Sequence, residues 1–407
     1  MSDRIPAGRA AKDSFLLICD EWSPTRGGIT TFNRMLAIML AKEGHPTRCL
    51  VRRASDRELE DAAARGVELV PAVVTPGGPE LLLLPAAIAA APPDVVVGHD
   101  LVSGPAAWTY AKHFFPGAKL VHIMHTPHAQ NEPQKRPDAA WTRTEECERQ
   151  TRRIAADADV VAAVGPLLAR RLDGIVGDGF GGTNVVQLDP GMTVPEQHPL
   201  RRRNVPVNRT VAVLSRARHL RPKGLDIAAK AIKDVVVPAG TPVPELLIRG
   251  AEAGHCDEVR ENFVKAYGIA RDLLDVRPFT CDPEEVARDF RRAALCLMPS
   301  RVEGFGLVGL EAIGYGTPVL LSSKSGVAET LRSHLEVAAE PMIVPVKDDG
   351  RDVDRWKDAI QRVFADLPAA FAYVHDVRAK LGGILTWENT ARTLIESVVA
   401  AGVPVQA

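Results

Sequence analysis

The sequence predicts an α/β protein with two domains, each built around a parallel β-sheet. Short apolar runs rich in β-branched residues alternate with longer segments of helical periodicity, a pattern typical of βαβ units. The chain has 407 residues, more than a single hydrophobic core usually contains. Together, the alternation and the length favour two sheets that follow each other along the chain.

The first series of these units starts at SFLLIC and continues through GITTFNRMLAIMLAKEG, TRCLV, PDVVVG and AKLVHIM. The second series starts at TVAVLS and ends near PVLLS. Between them, the Arg- and Pro-rich stretch HPLRRRNVPVNR interrupts the hydrophobic periodicity. We therefore predict a domain boundary between residues 203 and 204.

The composition excludes several classes of protein. With 50 basic and 51 acidic residues the net charge is -1, so the chain lacks the basic field of a nucleic-acid binder. The longest apolar run, LLLLPAAIAAAPP, is shorter than the ~20 residues of a membrane span. The start MSDRIPAGRAAK has no apolar signal region, and the six cysteines form no CxxC pair. We expect a cytoplasmic protein with no nucleic-acid partner.

The first loop of interest is TRGGIT, between the strand SFLLIC and the next helix. Ligands of open α/β sheets bind beyond the carboxyl ends of the strands, and two facing sheets place their loops around one cleft. Gly27 and Gly28 can present bare backbone amides to a phosphate, although a tight turn explains them equally well. TRCLV ends in Arg52 and Arg53, where an NAD ribose requires an acidic residue, which disfavours a nicotinamide cofactor.

Three histidines, His122, His125 and His128, follow each other at spacing three in KLVHIMHTPH. Strand residues three apart face opposite sides of a sheet, so the spacing argues against a shared metal ion. His125 stands at the carboxyl end of its strand and is a candidate for hydrogen-bonding a polar ligand; a buried core histidine is the alternative. His99 and Asp100 close PDVVVG in the same way.

The second domain carries cations in VLSRARHLRPKGLD, where Arg216, Arg218 and Lys223 lie between a strand and a helix. Several positive charges at such a turn suit a departing diphosphate. Solvated surface charge is the alternative explanation.

The most informative segment is PSRVEGFGLVGLEAIGYGTPV, where Glu303 and Glu311 are eight positions apart. They flank Gly304, Phe305 and Gly306, and a helix is predicted from about Leu307. The glycines free amides for a phosphate at the helix N-terminus, while Glu311 can accept hydrogen bonds from a ribose diol. Glu303 would point towards a sugar. The alternative is that both carboxylates only favour the positive end of the helix.

In combination, these motifs resemble glycosyltransferase family 4, retaining enzymes of the GT-B fold. The resemblance rests on the GG loop, on Gly44 and His45 before the second strand, on the strand-end histidine, on the SR…KG segment and on the E-x7-E block. Trp387 in TWENTARTL matches the segment where the family's last helix returns to the first domain.

The resemblance implies that the chain has three parts. Residues 1–203 form a Rossmann-like acceptor domain, and residues 204–385 form a Rossmann-like donor domain for a nucleotide sugar. Residues 386–407 form a helix that recrosses to the first domain.

The resemblance also implies roles for single residues. Arg216 and Lys223 bind the donor diphosphate, Glu303 contacts the sugar, Glu311 holds the ribose and His125 orients the sugar. Further donor-binding residues are Gly27, Gly28, Arg218, Gly304, Phe305, Gly306 and Leu307. The acceptor-binding residues are His99, Asp100, Thr126 and Arg149. No residue is expected to bind a metal ion.

At two places in the sequence, the comparison with the family leaves the role of the residues open. Arg218 stands five residues before Lys223, the commoner spacing in the family, whereas Arg216 directly follows the predicted strand, so both remain candidates for the diphosphate. In DPGMTVP the chain has Thr193 where similar enzymes usually carry aspartate.

The segment VHIMHTPH and the basic residues after it are also similar to the glycosyltransferase that opens mycothiol biosynthesis, which acts on an inositol phosphate. Lys135, Arg143, Arg149 and Arg153 either bind an acidic acceptor or solvate a helix.

The expected activity is transfer of a hexosyl unit from a UDP- or GDP-sugar to the hydroxyl of a small-molecule or glycan acceptor. Retention by double displacement requires a carboxylate nucleophile, and the sequence offers no obvious one, so same-face displacement without a metal cofactor is favoured. The alternatives are a GT-B-like epimerase or phosphorylase and a non-catalytic protein that binds nucleotide sugars or glycans.

Overall fold

The computed structural model describes residues 12–25, 27–135, 140–177, 184–194, 204–216, 221–236 and 242–402. Cα proximity divides the chain into two compact units. The described residues of the first unit fall within Met1–Ile123, Ile154–Val161 and Ile395–Ala407, and those of the second within Met124–Arg153 and Ala162–Leu394. Since 195–203 lie outside the described ranges, the boundary between 203 and 204 and the domain limits remain predictions.

The first series of strands consists of β1 (Phe15–Ile18), β2 (Thr47–Val51), β3 (Val67–Pro71), β4 (Val73–Thr75), β5 (Gly78–Glu80), β6 (Val95–His99), β7 (Lys119–Met124), β8 (Val160–Val164) and β9 (Val186–Leu188). Seven of them form one sheet in the order β3-β2-β1-β6-β7-β8-β9. The central strand β1 pairs in parallel with β2 and β6. The other two, β4 and β5, form an antiparallel hairpin.

The helices of this part are α1 (Gly28–Lys42), α2 (Asp56–Ala63), α3 (Ala86–Ala89), α4 (Asp100–Thr109), α5 (His128–Lys135), α6 (Ala140–Ala156) and α7 (Gly165–Val176). A five-residue π-helical turn, Tyr110–Phe114, follows α4. The predicted helix in GITTFNRMLAIMLAKEG is confirmed as α1.

The second sheet has six strands: β10 (Thr210–Leu214), β11 (Glu245–Ala251), β12 (Leu274–Pro278), β13 (Leu295–Met298), β14 (Val319–Ser322) and β15 (Ile343–Val344). Their order is β12-β11-β10-β13-β14-β15, and β10 pairs in parallel with β11 and β13. The strands of this sheet and of the first one run parallel in every pairing described, which confirms the predicted α/β class.

The helices that accompany the second sheet are α8 (Leu225–Lys233), α9 (Cys256–Tyr267), α10 (Pro283–Arg292), α11 (Leu307–Gly314), α12 (Gly326–Leu335), α13 (Asp352–Ala365), α14 (Leu367–Leu381) and α15 (Trp387–Ala401). The predicted helix start near Leu307 is confirmed by α11. Within the described residues, no helix is long and apolar enough to cross a bilayer.

Three strands of the two sheets are buried along their whole length. All residues of β1, β6 and β10 are buried, as expected for parallel sheets with two covered faces. On the second sheet, Trp356 of α13 and Phe371 of α14 pack into the same core as Val211 and Leu246 of the strands.

An ion-pair network fastens α10 to the edge of the second sheet. Asp289 of α10 is fully buried and accepts a hydrogen bond from Arg249 Nε at 2.5 Å and from Arg277 Nη1 at 2.7 Å. The arginines belong to the adjacent strands β11 and β12. Because a buried carboxylate needs a compensating charge, the three side chains depend on one another.

We expect Asp289→Ala to lower the free energy of unfolding by about 3–5 kcal/mol, because it leaves two arginines without their shared counter-charge. Urea denaturation followed by circular dichroism measures the change. The control is Asp354→Ala, since Asp354 forms an exposed pair with Lys357 at 3.2 Å, a type of pair worth about 0–1 kcal/mol. Equal losses in the two variants would contradict the role given to Asp289.

Candidate active site

An ion pair between two loops forms the centre of the candidate site. Lys223 lies in the turn before α8, and Glu303 lies in the loop after β13. Lys223 Nζ is 2.7 Å from Glu303 Oε2, and the side chains are 32% and 14% exposed. The buried Ser300 donates a second hydrogen bond to the same carboxylate oxygen, at 3.0 Å. The strands β10 and β13 are neighbours, so the loops at their carboxyl ends meet.

The turn that carries Lys223 requires glycine at the next position. Gly224 has φ 66°, in the left-handed region that favours glycine. A Cβ there would lie 1.9 Å from the carbonyl oxygen of Pro299. The close approach of the two loops therefore depends on the missing side chain of Gly224.

Arg301 ties the two loops together, and sequence reasoning missed it. Its Nη1 and Nη2 donate to Asp226 Oδ1 and Oδ2 at 2.7 and 2.9 Å, and Nη1 also donates to the Arg221 carbonyl at 2.9 Å. Its backbone N–H donates to the Pro222 carbonyl at 2.8 Å. The only signal in the sequence is an arginine two residues before Glu303, which by itself predicts nothing.

The GFG turn joins the loop after β13 to α11. Gly306 has φ 96° and precedes the first residue of α11, and among the described side chains none caps this helix start. A Cβ on Gly304 would lie 2.3 Å from the carbonyl oxygen of His125. The structure therefore brings His125 next to the E-x7-E block. The amides at the start of α11 form a positive pole that can bind an anion.

Glu311 lies in the second turn of α11 and is half-buried. Burial raises the pKa of its carboxyl group to about 7. Burial, reinforced by the charge of Glu311, also raises the pKa of the Cys296 thiol to about 12. Glu311 therefore changes charge near neutral pH, while the thiol beside it stays protonated.

The structure places Arg216 on an aromatic ring. Its guanidinium carbon is 3.6 Å from the ring centroid of Phe279, within the range of a cation–π interaction. Arg218 lies outside the described residues, so the choice between the two arginines for the diphosphate stays open.

The remaining donor and acceptor predictions fall in different parts of the chain. Gly27 has φ 131° and precedes α1, which starts at Gly28. Thr126 is half-buried and Arg149 is exposed. The Thr193 carbonyl oxygen would lie 2.1 Å from a Cβ on Gly314, at the end of α11. The proposed roles of these residues remain predictions.

His99 and Asp100 lie at the carboxyl end of β6, as predicted. His99 is fully buried, its Nε2 lies 2.8 Å from Asn33 Oδ1, and burial lowers its pKa to about 3. The imidazole is therefore neutral and faces α1. Asp100 is buried with φ 44°, a left-handed conformation that costs about 1–3 kcal/mol and is common at functional sites. The acceptor roles of both stay predictions.

A scan of protein families matches residues 16–394 to the family described as "Family 4 Glycosyltransferase in conflict systems". Curated relatives include D-inositol 3-phosphate glycosyltransferases of three bacteria. That of Corynebacterium urealyticum is 27% identical over 224 residues, 53% of this chain and 49% of that protein. That of Geodermatophilus obscurus is 27% identical, over 76% of this chain and 66% of that protein. That of Paenarthrobacter aurescens is 28% identical, over 75% of this chain and 72% of that protein. The chain thus spans about half to three quarters of these relatives.

Solved structures share the fold along nearly the whole chain. Sucrose-phosphate synthase from Thermosynechococcus elongatus has a TM-score of 0.73 at 20% identity, covering 96% of this chain and 100% of that one. WaaG, a glycosyltransferase involved in lipopolysaccharide biosynthesis, has a TM-score of 0.61 at 15% identity, covering 94% of this chain and 98% of that one. Anabaena HepE, solved with UDP and glucose, has a TM-score of 0.67 at 15% identity, covering 95% of this chain and 100% of that one. These neighbours confirm the GT-B fold.

We expect Gly224→Ala to destabilise the protein by more than the about 1–2 kcal/mol that a left-handed alanine costs, because its Cβ would also collide with Pro299. The control is Gly254→Ala, since Gly254 has φ 83° and nothing within 4 Å of an added Cβ. Urea denaturation of both variants separates the backbone cost from the collision. A loss for Gly224→Ala no larger than for the control would show that the loops can move apart freely.

Proposed function

The chain belongs to the Family 4 Glycosyltransferases in conflict systems, and on this premise we propose that it transfers a hexosyl unit from a nucleoside diphosphate sugar to an acceptor hydroxyl with retention of configuration. The observation that carries the proposal is the Lys223–Glu303 ion pair beside the start of α11. A cation and a helix N-terminus stabilise a leaving diphosphate, and a carboxylate next to them can bind sugar hydroxyls.

The donor diphosphate binds to Lys223 and to the amides of Gly306 and Leu307. Arg216 or Arg218 adds a second positive charge. Negative charge on the leaving diphosphate grows as the glycosidic bond breaks, so these groups stabilise the transition state more than the bound donor. The step needs no metal ion at the diphosphate.

Glu303 binds the donor sugar. Lys223 and Ser300 hold its carboxylate from one side, which limits its rotation. The acceptor oxygen forms a bond with the anomeric carbon on the face that the diphosphate leaves, and a diphosphate oxygen takes the acceptor proton. His125, placed against Gly304 by its carbonyl group, orients the sugar.

We favour a UDP-hexose as donor and an anionic hydroxyl compound as acceptor. UDP is present in the HepE structure that shares the fold, and the curated relatives are named after an inositol phosphate. Arg149 and Arg153 expose positive charge on α6, which suits a phosphorylated polyol. Thr126 completes the proposed acceptor side.

We expect Lys223→Met to lower kcat/KM, because it removes one fixed stabiliser of the leaving group. The loss should correspond to about 2.5–4 kcal/mol of transition-state stabilisation. Steady-state transfer from a UDP-hexose measures the loss. Lys357→Met, which removes a lysine from the exposed pair with Asp354, is the matched control and should retain activity. Unchanged turnover in the Lys223 variant would remove this lysine from the diphosphate site.

Donor binding should weaken as the pH falls through about 7, the pKa to which burial raises Glu311 in the free protein. A ribose diol donates to the carboxylate form, so affinity is full above this pKa and drops by up to roughly tenfold per pH unit below it. Calorimetry with a UDP-hexose at pH 6 and pH 8 measures the shift. The Glu311→Gln variant should bind the donor more weakly, and its affinity should no longer depend on pH in this range. If the pH dependence remained in this variant, another group would be responsible for it.

The product should keep the anomeric configuration of the donor, so an α-linked donor should give an α-linked glycoside. The NMR coupling constant of the anomeric proton measures this. A β-linked product would contradict same-face displacement. Free hexose without a glycoside, even with a panel of phosphorylated polyols present, would instead favour hydrolysis of the donor, in which water takes the place of the acceptor hydroxyl.

A further inference from the structure

Three potential metal ligands meet between α5 and α6. His128 and Glu132 are four residues apart on α5 and so lie on one face of the helix. Cys147 lies on α6. One ligand atom from each, an imidazole nitrogen, a carboxylate oxygen and the thiol sulfur, lies within 4.8 Å of the other two. From this cluster we propose that His128, Glu132 and Cys147 bind a zinc ion that fastens α5 to α6.

The ligand types select zinc over the hard cations. Imidazole nitrogen and thiolate sulfur suit zinc, whereas magnesium and calcium prefer oxygen ligands. One carboxylate and one thiolate together neutralise the charge of Zn²⁺, which favours the ion in a place where His128 and Glu132 are 9% and 4% exposed. Three protein ligands leave the fourth tetrahedral position to water.

Binding of the ion draws the three side chains together. Metal–ligand bonds of about 2.0–2.3 Å place the ligand atoms of a tetrahedral ion about 3.5 Å apart, closer than the 4.8 Å within which they lie here. The ligands come from α5 and from α6, so the ion links the two helices directly.

Arg143 of α6 supports one of the ligands. Its Nε is 3.0 Å from Glu132 Oε2, and we assign the other oxygen, Oε1, to the ion. Carboxylates that bind metals are commonly held in this way by a second residue, which fixes their orientation. The guanidinium therefore acts here as a positioning group for Glu132.

The proposed ion links α5 to α6 and takes no part in the proposed diphosphate chemistry. Of the three histidines at spacing three, only His128 contributes a ligand. His122 is buried next to Gly104 in the first unit, and the carbonyl of His125 faces Gly304. The proposal departs from the expectation that no residue binds a metal ion, but it places no ion at the donor site.

Cobalt(II), a spectroscopic substitute for zinc, tests the proposal on the full chain prepared without a histidine tag. One equivalent of Co²⁺ should produce a thiolate-to-cobalt charge-transfer band in the near ultraviolet, and one equivalent of Zn²⁺ should abolish it. Cys147→Ser should lose the band, while Cys281→Ser, which removes an exposed cysteine, should keep it. No band in the native protein, or a band that persists in Cys147→Ser, overturns the proposal.

Alkylation of the native protein gives a test that needs no variant. Zinc should slow the modification of Cys147 by iodoacetamide, because a metal-bound thiolate is a poorer nucleophile, and leave Cys281 unchanged. Peptide mass spectrometry measures both sites in one sample, and equal rates at Cys147 with and without zinc overturn the proposal. Arg143→Gln should weaken zinc binding roughly 10–100-fold; unchanged affinity would overturn the role of Arg143.

Discussion

The ion pair between Lys223 and Glu303 is the interaction on which the rest of the candidate site depends. Its partners are 80 residues apart in the chain and 2.7 Å apart in space. Two features make this approach possible, the left-handed Gly224 against Pro299 and the hydrogen bonds of Arg301 to Asp226. The ammonium group of Lys223 has three N–H donors. In the proposed function it can therefore hold the Glu303 carboxylate and bind the diphosphate at the same time.

The two glutamates of the E-x7-E block differ in what surrounds them. Glu303 lies in a loop and is held by an ammonium and a hydroxyl group. Glu311 lies within α11, where burial raises its pKa to about 7. Groups of the same type acquire different tasks when their environments differ in this way. These different surroundings in the free protein support the proposed division between a sugar-binding and a ribose-binding carboxylate.

The sequence was sufficient to predict the class of fold and the start of a helix near Leu307. Those features follow from local periodicity and from the rule that parallel strands present their loops at one edge. It was insufficient for Arg301, whose side chain hydrogen-bonds to Arg221 and Asp226 around the start of α8 and to the distant Asp348. The sequence was also insufficient to predict that Cys147 lies close to His128, because this proximity depends on how α5 and α6 pack. For His99, the strand end was predicted but not the complete burial.

The glycines of the GFG turn show how a motif can have two causes. In the sequence, Gly304 and Gly306 suggest bare amides for a phosphate. In the structure, a Cβ on Gly304 would meet the His125 carbonyl at 2.3 Å, and Gly306 has φ 96°. Both positions would therefore require glycine even in a protein that bound no phosphate. Lys223 and the helix start of α11 supply positive charge, so these two features support a diphosphate site, whereas the glycines do not.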